Sequence, residues 1–175
     1  LAGELAGIDA ITDTAGIVAY VHKAAARGGN MLFGFGGMPD FKDSAMNLAY
    51  ASQGGLGLPD ATYYTDAAKK DKLDAYQAHI ARMLELSGVA AADAASQAAQ
   101  VVGLETRLAR ASKTSVELSR DVSLYYNPLS VADADKLTPN FSWSAFFASQ
   151  GVQAPAQFSL AIPGFHQEVS AALGD

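Results

Sequence analysis

The stretch QGGLGLPDATYY, residues 53–64, sets three glycines and a proline ahead of two adjacent tyrosines. Glycine weakens helices and strands, and proline removes a backbone donor, so neither regular element fits here. A stretch so composed is a specific turn. Two uses compete for it: a backbone cradle for a ligand, or a rigid corner where two structural layers meet. As a corner, Gly54, Gly55 and Gly57 permit backbone angles that other residues resist. Pro59 sets one φ and Asp60 caps the turn that follows. Tyr63 and Tyr64 pack the bend and keep their hydroxyls at polar edges.

Downstream, residues 66–87 have the period of an amphipathic helix, with Leu73, Tyr76, Ile80, Met83 and Leu84 on one face. Gly88 stops it. A second helix is expected over 92–111, with Val101, Leu104, Leu108 and Ala111 as its stripe and many alanines that let a neighbour approach closely. The short link makes the two an antiparallel hairpin. Upstream, 1–26 reads as helical, with Leu5, Ile8, Ile11, Ile17, Tyr20 and Val21 near the helical period and Thr14 as an N-cap that splits it. Residues 31–35 and 45–52 flank the turn-rich GGMPDFKDS and predict a β-hairpin. Beyond Pro128, Ser130 and Asp133 form a capping box for a short helix to Leu137. Ser142 caps another, WSAFFASQG. AQFSLAI is a candidate strand, and Pro163 opens a last helix reaching Leu173. The fold class is mainly α: a helical lobe with an antiparallel helix hairpin and a small β-hairpin, read as one domain over 1–175. Because the chain opens in helical sequence at Leu1, we read it as a fragment of a longer protein.

Of the 175 residues, 50% are hydrophobic, enough for a core without staples, and there is no cysteine for disulfides or thiolate metal sites. The net charge is −6 and the 12 Lys and Arg are scattered, which disfavours nucleic-acid binding. No apolar run approaches a membrane span.

The residues offer little chemistry of their own. The three histidines, His22, His79 and His166, lie far apart in sequence, and none belongs to an H-E-x-x-H pair. We expect His22 and His166 at the surface or at helix ends, and His79 at the polar edge of its helix. G-x-S-x-G is absent. In GFGGMP, Pro39 stands where the third glycine of a dinucleotide loop belongs, so Gly34, Gly36 and Gly37 suit a turn or close packing. The pairs Asp40/Asp43, Asp71/Asp74 and Asp133/Asp135 read as turn residues, solvated charge and caps. Asn140-Phe-Ser142 is formally a glycosylation sequon that the Ser142 cap explains equally well. No catalytic or metal-ligating residue is assigned.

Residues 53–64 resemble the QxGLGLPDRDYY signature of the neprilysin-type zinc metallopeptidases, which include endothelin-converting enzymes and bacterial oligopeptidases. The agreement continues in order through LFGFGGMPDFKDS, AYQAHIARMLELSG, VVGLETRLARAS, RDVSLYYNPLS and FSWSAFF. These blocks span most of 28–147, and the first helix fits the preceding family segment. The one departure in the main motif is Ala61, where arginine is usual.

The resemblance implies two largely helical lobes around an enclosed cavity, with the zinc ligands and catalytic glutamate in a C-terminal lobe. This chain is similar to the N-terminal part only, so no cofactor is expected in it, and zinc is expected in the full-length parent. The implied function is that of a non-catalytic lobe of a zinc metalloendopeptidase. It covers the active-site chamber and restricts access to peptides, with the catalytic lobe of the same chain and peptide substrates as partners. The chain alone is expected to be inactive. The alternative is a stand-alone helical binding module without chemistry. The family implies an extracytoplasmic setting, periplasmic or secreted, and the absence of cysteine suits a bacterial member. Gly54, Gly55, Gly57, Leu58, Pro59, Asp60, Tyr63 and Tyr64 carry the family motif. A structural corner and a wall of the substrate chamber both remain open as their use.

Overall fold

A computed structural model describes residues 2–175. In chain order the elements are α1 (Ala2–Asp9), α2 (Thr14–Ala25), β1 (Phe33–Pro39), β2 (Asn47–Gln53), α3 (Thr62–Thr65), α4 (Lys70–Leu86), α5 (Ala91–Ala111), α6 (Ser115–Arg120), β3 (Pro128–Leu129), α7 (Val131–Leu137), α8 (Trp143–Ser149), β4 (Phe158–Leu160) and α9 (Pro163–Gly174). They form two compact units. One runs to Gly54 and resumes at Val122–Asp175, and the other is Gly55–Asp121.

The first unit is a small sheet packed on aromatic helices. The hairpin expected from sequence is present, with β1 and β2 antiparallel from Phe33↔Gln53 to Pro39↔Asn47. It belongs to a larger sheet of order β1-β2-β4-β3, in which β4 runs parallel to β2 and antiparallel to β3. β1 also runs four residues past Phe35, because Gly36 to Pro39 keep pairing with β2. Phe33, Phe141, Trp143, Phe146, Phe158 and Phe165 are almost wholly buried. Their rings meet mostly edge to face; Phe33 lies 5.2 Å from Phe141 and 5.5 Å from Phe146 between centroids. Each such ring contributes roughly 1.5–3 kcal/mol by leaving water.

The capped helices follow their sequence signals. The Ser130 hydroxyl oxygen accepts from Asp133 N–H, that of Ser142 accepts from Ala145 N–H, and Pro163 stands in the first turn of α9. At the start of α2 the cap is Asp13, not Thr14: the Asp13 carboxylate accepts from Gly16 N–H at 2.7 Å. Thr14 instead donates its hydroxyl to the Leu173 carbonyl, 2.9 Å away on α9. Val21 is buried while Ile8 and Ile17 stay exposed.

The second unit holds the helix hairpin. The Tyr76–Glu105 hydrogen bond and the shallow groove that Ala78 and Ala81 share with Ala95 and Ala98 show α4 and α5 running antiparallel. The buried stripe of α5 differs from the expected one. Ala94, Ala98, Val102, Leu108 and Ala109 are inside, while Val101 and Leu104 are exposed. Small residues win that face because they let the helices approach. Met83 of α4 is likewise exposed, at 53%. The sequence reading also missed α6, whose Thr114 and Glu117 form a complete capping box. Among the described residues no helix is long and apolar enough to cross a membrane.

Candidate functional site

The motif segment begins where β2 ends, at Gln53. Gly55 has φ +72°, a left-handed conformation that side chains resist. Gly57 is required for a different reason: a Cβ placed there would lie 1.8 Å from Tyr76 Oη. The constraint is close approach, not an unusual backbone angle. Asp60 then closes the turn. One carboxylate oxygen accepts from Thr62 N–H at 2.9 Å, and the other from Ser115 N–H at 2.8 Å. Those backbone donors, Ser115 first, hold the Asp60 carboxyl well below the usual carboxylate range.

The tyrosines of the motif do different things. Tyr64 is 7% exposed. Its hydroxyl donates to Glu105 Oε2 at 2.6 Å and accepts from Leu58 N–H at 2.9 Å. Tyr76 donates to the other oxygen of Glu105 at 3.0 Å, so one carboxylate of α5 ties the loop and α4 together. Burial, then the bond to Glu105, raises the Tyr64 phenol and pushes Tyr76 up to about 12. Both phenols therefore stay protonated near neutral pH and serve as donors. Tyr63 packs beside Leu56, Leu58, Leu73 and Tyr76 against Ala61, Tyr64 and Ala109. Lys69 Nζ stands 4.6 Å over its ring. Pro59 is exposed. Ala61, the departure from the motif, is buried in this apolar cluster. Sequence reasoning missed Glu105 and Tyr76, since both lie on helices read only for their apolar stripes.

The histidines correct the expectation made for them. His166 is not at the surface: it is 2% exposed, on the inner face of α9, with Nε2 3.3 Å from the Ala51 carbonyl. Since a carbonyl only accepts, that nitrogen carries the proton. Burial pushes the ring down to about 4, against the hydrogen bonding of the Ala51 and Ala161 backbone, so it is neutral at pH 7. His22 is half-buried and meets Phe141 and Phe146 edge to face, with burial lowering its pKa. His79 is exposed.

The acids serve the local roles expected of them. Asp40 accepts from Lys42 N–H and from the Tyr126 hydroxyl, and Asp43 from Ala45 N–H. Asp74 pairs with Lys70 and Asp71 with Lys72. The Asp133 carboxylate accepts from the Ser130 hydroxyl and pairs with Lys136, without the reciprocal backbone bond of a capping box among the described residues, and Asp135 accepts from Trp143 N–H at the start of α8. Asn140 donates its side-chain amide to the Ser170 carbonyl at 2.9 Å. Among the described residues no group of three or more His, Cys, Asp or Glu could hold a metal ion. These residues do not fit zinc.

Set against known proteins, the whole chain, residues 1–175, matches the N-terminal model of peptidase family M13. The chain belongs to peptidase family M13. Among M13 relatives, endothelin-converting enzyme-like 1 of Rattus norvegicus is 36% identical over 127 residues, 70% of this chain and 15% of that protein. Neprilysin-3 of Drosophila melanogaster is 30% identical over 120 residues, 67% of this chain and 15% of its own length. The zinc metalloprotease Zmp1 of Mycobacterium tuberculosis, solved in complex with an inhibitor, superposes with a TM-score of 0.86 at 32% identity. That match covers 98% of this chain and 26% of Zmp1. PepO of Lactobacillus rhamnosis HN001 shares the fold, with a TM-score of 0.77 at 20% identity. The chain thus spans about 15% of the length of the relatives named and about a quarter of the solved peptidases. In those structures the M13 N-terminal region is one part of a single longer chain.

Proposed function

We propose that this chain is the non-catalytic, largely helical N-terminal lobe of a bacterial zinc metalloendopeptidase, with both compact units belonging to that one lobe. The lobe covers the active-site chamber and restricts access to peptides small enough to enter. It does no bond chemistry itself: it excludes water and positions substrate for a catalytic lobe of the same chain, which holds the zinc. The observation that carries this reading is the superposition on Zmp1 over 98% of the chain, which accounts for only 26% of that zinc metalloprotease. Within the lobe, Gly54, Gly55, Gly57, Leu58, Pro59, Asp60, Tyr63 and Tyr64 act as a rigid corner. The support is the network that Asp60, Tyr64 and Glu105 make with the loop backbone. By analogy with the family, the protein works outside the cytoplasm.

The test has two parts. The isolated chain should bind no stoichiometric zinc in dialysis followed by metal analysis and should cleave no quenched fluorescent peptide. Zinc-dependent turnover by this chain alone would refute the non-catalytic assignment. The longer protein should cleave short peptides and leave folded protein substrates intact; equal turnover of both would refute restricted access.

A further inference from the structure

β1 closes the sheet order β1-β2-β4-β3 on one side, so among the described residues one of its edges has no strand beside it. The ladder determines which groups that edge presents. The Ala51 carbonyl of β2 accepts from Ala161 N–H, on the side of β4, and Asp40 N–H donates to the Met46 carbonyl across the hairpin, each at 2.9 Å. In the register Phe33↔Gln53 to Pro39↔Asn47, the even-numbered residues of β1 therefore direct their backbone groups to β2. Phe35 and Gly37 direct theirs outward, and no group among the described residues takes them up. Gly36, Gly37, Met38 and Pro39 are exposed.

Proteins ordinarily blunt such an edge with charge, a bulge or an early proline. β1 reads FGFGGMP, without a charge and with its proline last, and its register is unbroken. Beside the same strand lies a cavity of about 290 Å³ lined by Phe35, Gly36, Met38, Tyr50, Ser52 and Tyr125. Residues opposite one another in a sheet share a face, so Gly36 and Tyr50 look to the same side. A Cβ on Gly36 would meet nothing within 4 Å, so that side stays open.

We propose that the outer edge of β1 is a peptide-binding site. An extended polypeptide segment adds as a further strand, exchanging hydrogen bonds with Phe35 and Gly37. Its residue opposite Gly36 places an apolar or aromatic side chain in the cavity between Tyr50, Ser52 and Tyr125. The occupant follows from the edge, because a row of N–H and C=O groups at strand spacing is matched by an extended main chain. This site rests on the sheet alone and stands whether or not the lobe covers a chamber.

The test titrates the isotope-labelled chain with a blocked peptide of alternating Thr and Val around one central Phe, followed by amide NMR. The Phe35 and Gly37 amide signals should shift saturably, and N-methylation of alternate peptide residues should abolish the shift. Gly37→Pro removes only an outward donor, a place where a strand tolerates proline, and should weaken binding about 5- to 10-fold, the factor one hydrogen bond carries. Gly36→Phe should fill the cavity from within and erase the preference for the Phe peptide over its Ala counterpart. Unmoved Phe35 and Gly37 signals at millimolar peptide, or binding indifferent to N-methylation, would overturn the proposal. So would a dimer lost in Gly37→Pro, which would assign the edge to a second copy. Slow hydrogen exchange at Gly37 in the longer protein without added peptide would also overturn it, by assigning the edge to the protein's own chain.

Discussion

Gly57→Ala is the sharpest probe of the motif loop. The new methyl would sit 1.8 Å from Tyr76 Oη and 2.6 Å from Cζ. Tyr76 is not free to swing away, since its hydroxyl is bound to Glu105 and its ring packs against the Ala61, Tyr64 and Ala109 cluster. If the ring yields, a hydrogen bond to a carboxylate is lost, at about 1.5–3 kcal/mol. If the loop yields instead, overpacking costs about 1–3 kcal/mol. The cheaper route sets the cost, so we expect a net loss of about 1–3 kcal/mol, or about 2–12 °C in melting temperature for a chain of this size. Circular dichroism melts and urea titration would measure it. Tyr76→Phe removes the nearest colliding atom, so Gly57→Ala in that background should cost at least about 1 kcal/mol less than in the parent. A Gly57→Ala melting temperature within about 2 °C of wild type, or strict additivity of the two substitutions, would refute the reasoning.

Three other outcomes follow from the same structure. His166 is neutral in the fold with a pKa of about 4, below the roughly 6.5 of an unfolded histidine, so the unfolded chain binds the extra proton between those values. Stability should be full above pH 6.5 and fall by about 3 kcal/mol as pH drops to about 4; urea midpoints for His166→Gln should lack that slope, and equal slopes in both would count against the assignment. Asp60→Ala removes the acceptor for Thr62 N–H and Ser115 N–H and should cost about 1–2 kcal/mol in urea unfolding, with faster exchange of the Ser115 amide as its local signature. Glu105→Gln should bring the Tyr64 and Tyr76 phenols down in an ultraviolet titration by weakening the shared acceptor; an unchanged titration would show that burial alone raises them.

The sequence by itself determined most of what is local. Ser130, Ser142 and Pro163 mark helix starts because a cap acts within three residues of its own position, and such signals survive any tertiary arrangement. The helix hairpin was legible from periodicity and from Gly88, and the turn at 53–64 from its glycines and proline. The family was legible too, because its motif blocks recur in order along the chain.

What only the tertiary structure decided depends on partners distant in sequence. Which stripe of α5 goes inside was settled by how closely α4 can approach, so Ala94 and Ala98 are buried and Val101 is not. His166 looks polar in sequence, yet it is buried because α9 turns that face onto the aromatic core and the Ala51 carbonyl accepts its proton. AQFSLAI was legible as the strand β4, but its parallel place beside β2 was not, and β3, two residues long, exists as a strand only through its pairing with β4. The loop reads as a turn in one dimension. Its dependence on Tyr76 and Glu105, 19 and 48 residues beyond Gly57, exists only once the helices bring those side chains back to it.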